Sequence, residues 1–152
     1  MRSQTLYSSA QALLALAGTA DAGTLYWAHR SGVDLPCTSG DGCDLVNASH
    51  WSHIGNVPIT LLGLAAYISL LFASTLKPTV SSDSIARNLQ AFILVVSFFG
   101  TIYSWYLQYV ADVFIGAFCI YCRCSAIFLT LLLLTAIIER IGIIKAAKAP
   151  NS

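Results

Sequence analysis

Four long apolar runs alternate with three polar stretches along the chain, over about residues 6–27, 58–76, 88–110 and 118–138. A helix needs about 20 predominantly apolar residues to cross the hydrocarbon core of a bilayer, and each run is close to that length. The first has no small-residue cleavage site after a short apolar core, so it is expected to stay as an anchor rather than to be removed as a signal peptide. Pro58 opens the second run, where a missing N–H costs a helix little. Gly63 inside it lets another helix approach closely. The pattern predicts an all-α integral membrane protein: one domain over residues 1–152, built as a four-transmembrane-helix bundle. The longest polar stretch, residues 28–57, forms the first loop and is too small for a core of its own. Within it, Asp44 to His53 reads as a short surface helix. Leu45, Val46, Ala48 and Trp51 then face the bilayer or the bundle mouth, with Trp51 either an interfacial anchor or a lid over a ligand.

Composition agrees with a lipid environment. Of 152 residues, 57% are apolar and only 10% charged, against about a quarter charged in ordinary domains. No basic stripe suggests nucleic acid. Lys and Arg in short loops favour the cytoplasmic side. With four spans, both termini and the second loop share one side, which carries Arg2, Lys77, Arg87, Arg140, Lys145 and Lys148, whereas the other side carries Arg30 in the first loop. Both termini are therefore expected in the cytoplasm.

That orientation puts all five cysteines on the extracytoplasmic side, where disulfides persist. Cys37 and Cys43 lie in the first loop; Cys119, Cys122 and Cys124 lie at the start of the fourth run. Residues i and i+3 in a helical turn have Cβ atoms about 5–6 Å apart, and a disulfide needs about 3.5–4.5 Å, a gap that a small adjustment closes. A first helical turn also offers free N–H groups and the positive end of the helix dipole to a thiolate. Cys119 and Cys122 thus read as a reversible redox pair. Arg123 follows the second cysteine, so a haem attachment site, which needs His there, is excluded. Cys37, Cys43, His50 and His53 form an alternative zinc set. Cys124, two residues past Cys122, points to a different helix face and is expected to take no part in exchange. Gly40, Asp41 and Gly42 make the link between Cys37 and Cys43 flexible, which suits a pair that swings between an outside partner and a target at the membrane.

Tyr103, Trp105, Tyr106 and Tyr109 crowd the outer end of the third run. Most are expected in the headgroup belt. Those facing inward sit at the depth of Cys119, and an apolar, aromatic cavity beside a thiol pair suits a flat, lipid-soluble electron acceptor. Asp21 lies inside the first run, where a carboxylate costs about 2.5–3.5 kcal/mol at the bilayer centre. A structural hydrogen bond is its expected role, with proton handling for the acceptor second.

Two loop cysteines, then "LVNASHWSHIGNVPITLLGLAAY", then "YVADVFIGAFCIYCRCSAI" resemble the vitamin K epoxide reductase family in its bacterial form, over about Leu6 to Ile138. Ser49, Gly55, Pro58 and Gly63 stand at family-like spacing. The other bacterial quinone-linked disulfide oxidase carries its C-x-x-C earlier in the chain and fits poorly. The resemblance implies a bundle around a quinone (ubiquinone, menaquinone or phylloquinone), capped by the first loop, in a bacterial inner or plasma membrane. A reduced thioredoxin-like or DsbA-like protein would hand electrons to the loop pair. By carry-over, Cys37 meets that partner, Cys43 relays to Cys119, and Cys122 lies next to the quinone and reduces it, with Ser49 as supporting residue. Many bacterial relatives carry a fused thioredoxin-like domain after the last span; here the partner is expected to be separate. Candidate quinone contacts are Val46, Trp51, Ile59, Leu62, Leu107 and Ala126. Animal members hold the quinone oxygens with an Asn and a Tyr where this chain has Ile59 and Ala126, which favours ordinary quinone reduction over epoxide reduction.

Three rivals differ in what they require. A vitamin K cycle enzyme would turn over the epoxide. A metal-handling membrane protein needs ligands reaching across the bilayer, yet no cysteine lies on the inner side. A non-catalytic tetraspan protein would hold its disulfides at reduction potentials below about −300 mV.

Overall fold

The computed structural model describes residues 2–33 and 42–148. Five α-helices account for most of them: α1 (Arg2–Ser31), α2 (Gly42–Ala48), α3 (Ile59–Leu76), α4 (Asp83–Val110) and α5 (Ile120–Lys148). The four long ones form the bundle. α1 packs on α3 and α5, α4 packs on α5, and the seam between α3 and α4 is the loosest of the four. Among the described residues, three helical segments are long and apolar enough to cross a membrane: Ile59–Leu76, Asp83–Ile115 and Ile120–Lys145. α1 has the length, 30 residues, but Gln11, Thr19, Asp21 and Thr24 dilute its apolar character, so composition alone does not qualify it as a fourth span.

Large apolar side chains such as Leu13, Phe72, Phe99 and Leu131 stand exposed around the bundle, the surface that lipid rather than water would cover. Inside, small residues set the spacing. Ala15, Ala22, Ala73 and Ala136 line the central core with Tyr67, Leu70, Ile93, Leu129 and Leu132. Gly18 lies against the Tyr67 ring so closely that no Cβ fits between them, the close approach that small residues permit in helix bundles. The Tyr67 hydroxyl donates to the Ser125 carbonyl at 2.8 Å and lies 2.9 Å from Ser125 Oγ. This ties α3 to α5.

The bundle end remote from the cysteines is fastened by charge. Lys77, just past α3, donates through Nζ to Glu139 of α5 (2.9 and 2.7 Å), Gln11 of α1 (3.0 Å) and Gln90 of α4 (2.7 Å). Gln11 Nε2 donates to Glu139 (3.0 Å), and Gln90 Nε2 donates to the Ala136 carbonyl (3.0 Å). All four side chains are buried. One cation thus joins all four long helices.

α1 and α5 run past their apolar stretches, to Arg2 and Ser31 and to Lys148, and three further differences from the sequence expectation follow. α4 begins at Asp83, after Ser82, not at Asn88, because its polar first turn continues the helix beyond the apolar run. α5 begins at Ile120, so Cys119 precedes the helix, and its carbonyl accepts from the Arg123 N–H at 3.1 Å. The expected surface helix from Asp44 to His53 breaks into α2, a 3₁₀ turn at His50–Ser52 and a two-residue strand, His53–Ile54, paired antiparallel with Val57–Pro58. Gly55, with φ +63°, opens the intervening two-residue turn, where hairpin geometry calls for positive φ. That hairpin folds the chain back into α3.

Candidate active site

α4 does not end cleanly. It runs into a π-helical turn, Ala111–Ile115, which stops at Gly116 in the left-handed region (φ 67°, ψ 27°). The Ala117 N–H donates back to the Ala111 carbonyl at 3.1 Å. This turn reverses the chain in few residues and delivers Cys119 to the interior.

Cys119 and Cys122 form a disulfide, with Cα atoms 5.3 Å apart. Cys119 is fully buried. It shares a cluster with Leu25 and Ala28 of α1, Cys43 and Val46 of α2, and Ala111 and Ala117 of the turn. Cys43 is also fully buried and is itself disulfide-bonded. α2 therefore carries a loop cysteine down onto the C-x-x-C pair. Cys37 and residues 38–41 of the link lie outside the described residues, while Gly42, expected in the flexible link, is the first residue of α2. Cys124 is a free thiol, partly exposed.

A cavity of about 720 Å³ opens beneath this cap, within the range of about 300–1,000 Å³ typical of small-molecule sites. It occupies the loose seam between α3 and α4. Val46, Ser49, Trp51, Ser52 and Ile54 roof it, α3 and α4 wall it, and Cys122 with Ser125 face it from α5. Its lining is almost wholly apolar. Trp51, exposed at the roof, lies near Phe114, the ring centroids 6.3 Å apart.

Of the candidate contacts, Val46, Trp51, Ile59, Leu62 and Leu107 line the cavity. Ala126 does not; it is fully buried in the bundle. One turn after Cys122, α5 turns this position toward its neighbours, where a small side chain lets the helices meet. Ser49 lines the roof, and its hydroxyl donates to the Val46 carbonyl at 2.7 Å, while its own carbonyl accepts from Ser52 Oγ at 2.8 Å. These bonds hold the cap together. Tyr103 and Tyr106 also line the cavity, whereas Trp105 turns away and donates from Nε1 to Thr130 at 3.1 Å.

Asp21 departs from expectation. Its Oδ2 is buried with no hydrogen-bond partner, and the Tyr67 hydroxyl is committed to Ser125. Arg123 donates to Asp112 Oδ2 at 3.0 Å and lies over the Phe118 ring, 4.6 Å from its centroid. These contacts pin the start of α5 to the preceding turn. Among the described residues no three His, Cys, Asp or Glu side chains gather as a metal site.

The model of the vitamin K epoxide reductase family matches residues 10–137, from α1 through most of α5. The chain belongs to this family. A family member of this build is a membrane oxidoreductase acting on quinones and disulfides, and the buried C-x-x-C disulfide with an apolar cavity at its side is the equipment that such chemistry needs. Sequence reading passed over two polar residues of the cavity wall, Thr60 and Gln108. Their signal was a lone polar side chain inside an apolar run.

Proposed function

We propose that the protein generates disulfides, drawing two electrons from a reduced thioredoxin-like partner outside the cytoplasm and delivering them to a quinone in the membrane. α1 acts as the fourth span, both termini are cytoplasmic, and all five cysteines lie at the extracytoplasmic face. The observation carrying this reading is that the C-x-x-C pair bridges two surroundings: Cys119 is buried in one cluster with Cys43, and Cys122, packed against that cluster, also lines the apolar cavity, which Cys119 does not.

The sequence of exchanges follows from that division. The partner's two thiols reduce the Cys37–Cys43 disulfide and leave as a disulfide. The Cys43 thiolate attacks Cys119 Sγ, the Cys119–Cys122 bond breaks, and Cys122 leaves as a thiolate. Cys37 then attacks Cys43, re-forming the loop disulfide and releasing Cys119. The dithiol Cys119/Cys122 now holds the two electrons and two protons that came from the partner. A quinone in the cavity is a two-electron, two-proton sink, and loading it returns Cys119 and Cys122 to the disulfide. Thiol and hydroxyl counts balance: one dithiol oxidised for each quinol formed.

The first turn of α5 favours this order. Its free N–H groups stabilise a thiolate at Cys119, the sulfur that leaves when Cys37 resolves the mixed disulfide. The roof of Val46, Ser49, Trp51 and Ser52 keeps water from the cavity. Ile59 and Ala126, in place of the animal Asn and Tyr, favour quinone over epoxide as substrate.

The test is anaerobic quinone reduction by the purified, pre-reduced protein, followed by quinone absorbance beside a thiol count. Two thiols lost per quinone reduced is the expected result. Quinone untouched while the thiols stay reduced would sink the assignment.

A further inference from the structure

Six buried side-chain polar atoms among the described residues have no hydrogen-bond partner: Asp21 Oδ2, Thr60 Oγ1, Ser97 Oγ, Thr101 Oγ1, Gln108 Nε2 and Arg123 Nε. Native proteins satisfy most such groups, so each exception asks for a reason. Only two of the six residues, Thr60 and Gln108, line the cavity beside Cys122. Both are more than nine-tenths buried, at 8% and 4% exposure. They come from different helices, Thr60 from the first turn of α3 and Gln108 from the last turn of α4, the two helices whose seam the cavity fills. Of the other cavity-lining hydroxyls, those of Ser49, Ser52, Tyr67 and Ser125 have partners within the protein, while Tyr103, Ser104 and Tyr106 are not buried, so water can satisfy them without a ligand.

We infer that Thr60 and Gln108 position the quinone ring by donating hydrogen bonds to its carbonyl oxygens. A quinone ring has two strong acceptors on opposite edges and is otherwise flat and apolar. This wall offers the matching pattern, two unpartnered donors on facing helices in a surface with little else polar. A turn of the Thr60 hydroxyl about Cα–Cβ, or of the Gln108 amide about its last bond, brings the donor to a ligand without moving the backbone. Neither unpartnered atom hydrogen-bonds a cysteine, and neither group carries electrons, so they act by orienting the ring against Cys122 and not in the electron transfer itself.

The inference rests on the proposed quinone reductase reading, and the experiment separates the two. Equilibrium binding to the detergent-solubilised full chain is measured for three probes: a short-chain 1,4-naphthoquinone, a short-chain ubiquinone, and naphthalene, which has the flat ring but no carbonyls. Thr60→Val and Gln108→Leu are each expected to weaken quinone binding about tenfold, one net hydrogen bond's worth, and to leave naphthalene binding unchanged. Thr60→Ser, which keeps the hydroxyl, is expected to retain the wild-type quinone affinity. Both variants remove unpartnered polar atoms, so thermal unfolding at or above the wild-type midpoint is expected and guards against misfolding. Quinone binding unchanged in both variants overturns the inference, as does equal weakening of quinone and naphthalene. Wild-type protein binding neither quinone overturns the proposed function, and the inference with it.

Discussion

The backbone N–H of Cys122 points at the sulfur of Cys119, 3.2 Å away. The two cysteines are therefore unequal. Cys119 receives a hydrogen bond and is shut inside the cluster with Cys43, whereas Cys122 is half-buried and borders the cavity. A thiol outside the protein cannot reach Cys119 directly; Cys43, packed in the same cluster, is the sulfur best placed to do so. Cys122→Ser is expected to abolish quinone reduction and, when the loop pair is oxidised, to trap a Cys43–Cys119 mixed disulfide, the Cys119 thiolate attacking Cys43 and releasing Cys37 as a thiol. Cys119→Ser is expected to abolish turnover and trap nothing. Non-reducing peptide mapping distinguishes the two, and a Cys43–Cys122 link in the Cys119 variant would reverse the assigned roles.

Gly18→Ala is expected to be among the most damaging small changes in the bundle. The new methyl would fall within the Tyr67 ring. That ring is buried and anchored through its hydroxyl to Ser125, so it cannot swing aside without losing the bond. Overpacking costs about 1–3 kcal/mol, and the lost hydrogen bond adds about 0.5–1.5 kcal/mol. Tyr67→Phe alone is expected to show only the second loss. Adding Tyr67→Leu to Gly18→Ala makes room and is expected to recover stability, a coupling that a double-mutant cycle measures by thermal unfolding in detergent.

Much of this was legible in the primary sequence. The apolar run from Pro58 to Leu76 marks α3 almost to the residue, since a proline at one end and a lysine at the other bound it. The cysteine order and spacing carried the family resemblance. The hairpin at Ile54–Val57 was missed although Gly55-Asn56 is a hairpin signal, because the expected surface helix absorbed its first strand. The polar character of α1 was visible in Gln11 and Asp21. Their fates were not, because Gln11 finds Glu139 across 128 positions of chain while Asp21 Oδ2 finds no partner. Such outcomes depend on the rotational register of helices distant in sequence, which periodicity does not encode. The same holds for Thr60 and Gln108, whose significance appears only once α3 and α4 face each other.

Asp21 yields a prediction of its own. A buried carboxylate oxygen without a donor is unfavourable, and a charge at the bilayer centre costs up to about 2.5–3.5 kcal/mol. Asp21→Asn removes the ionisable group at nearly constant volume. It is expected to raise the unfolding midpoint and leave quinone turnover intact. Stability gained with turnover lost would instead assign Asp21 to proton handling.

The Lys77–Glu139 pair, at 2.7 Å, is expected to matter for assembly and not for turnover. Removing one partner of a buried ion pair strands the other, at about 3–5 kcal/mol, whereas replacing both with apolar side chains is often neutral or better. Lys77→Met leaves the Glu139 carboxylate facing only Gln11, and it frees Gln90 from its strongest contact. Glu139→Leu leaves an ammonium held by two amide oxygens and no counter-charge. Each is expected to lower the unfolding midpoint sharply, and Lys77→Met combined with Glu139→Leu to lie closer to wild type than either. Glu139 stands 17 positions beyond Cys122 in α5, which at 1.5 Å per residue is about 25 Å along the helix. Quinone reduction at a temperature where all variants stay folded is therefore expected to be unchanged, and a turnover defect there, with the fold intact, would mean that this end of the bundle is coupled to the thiols.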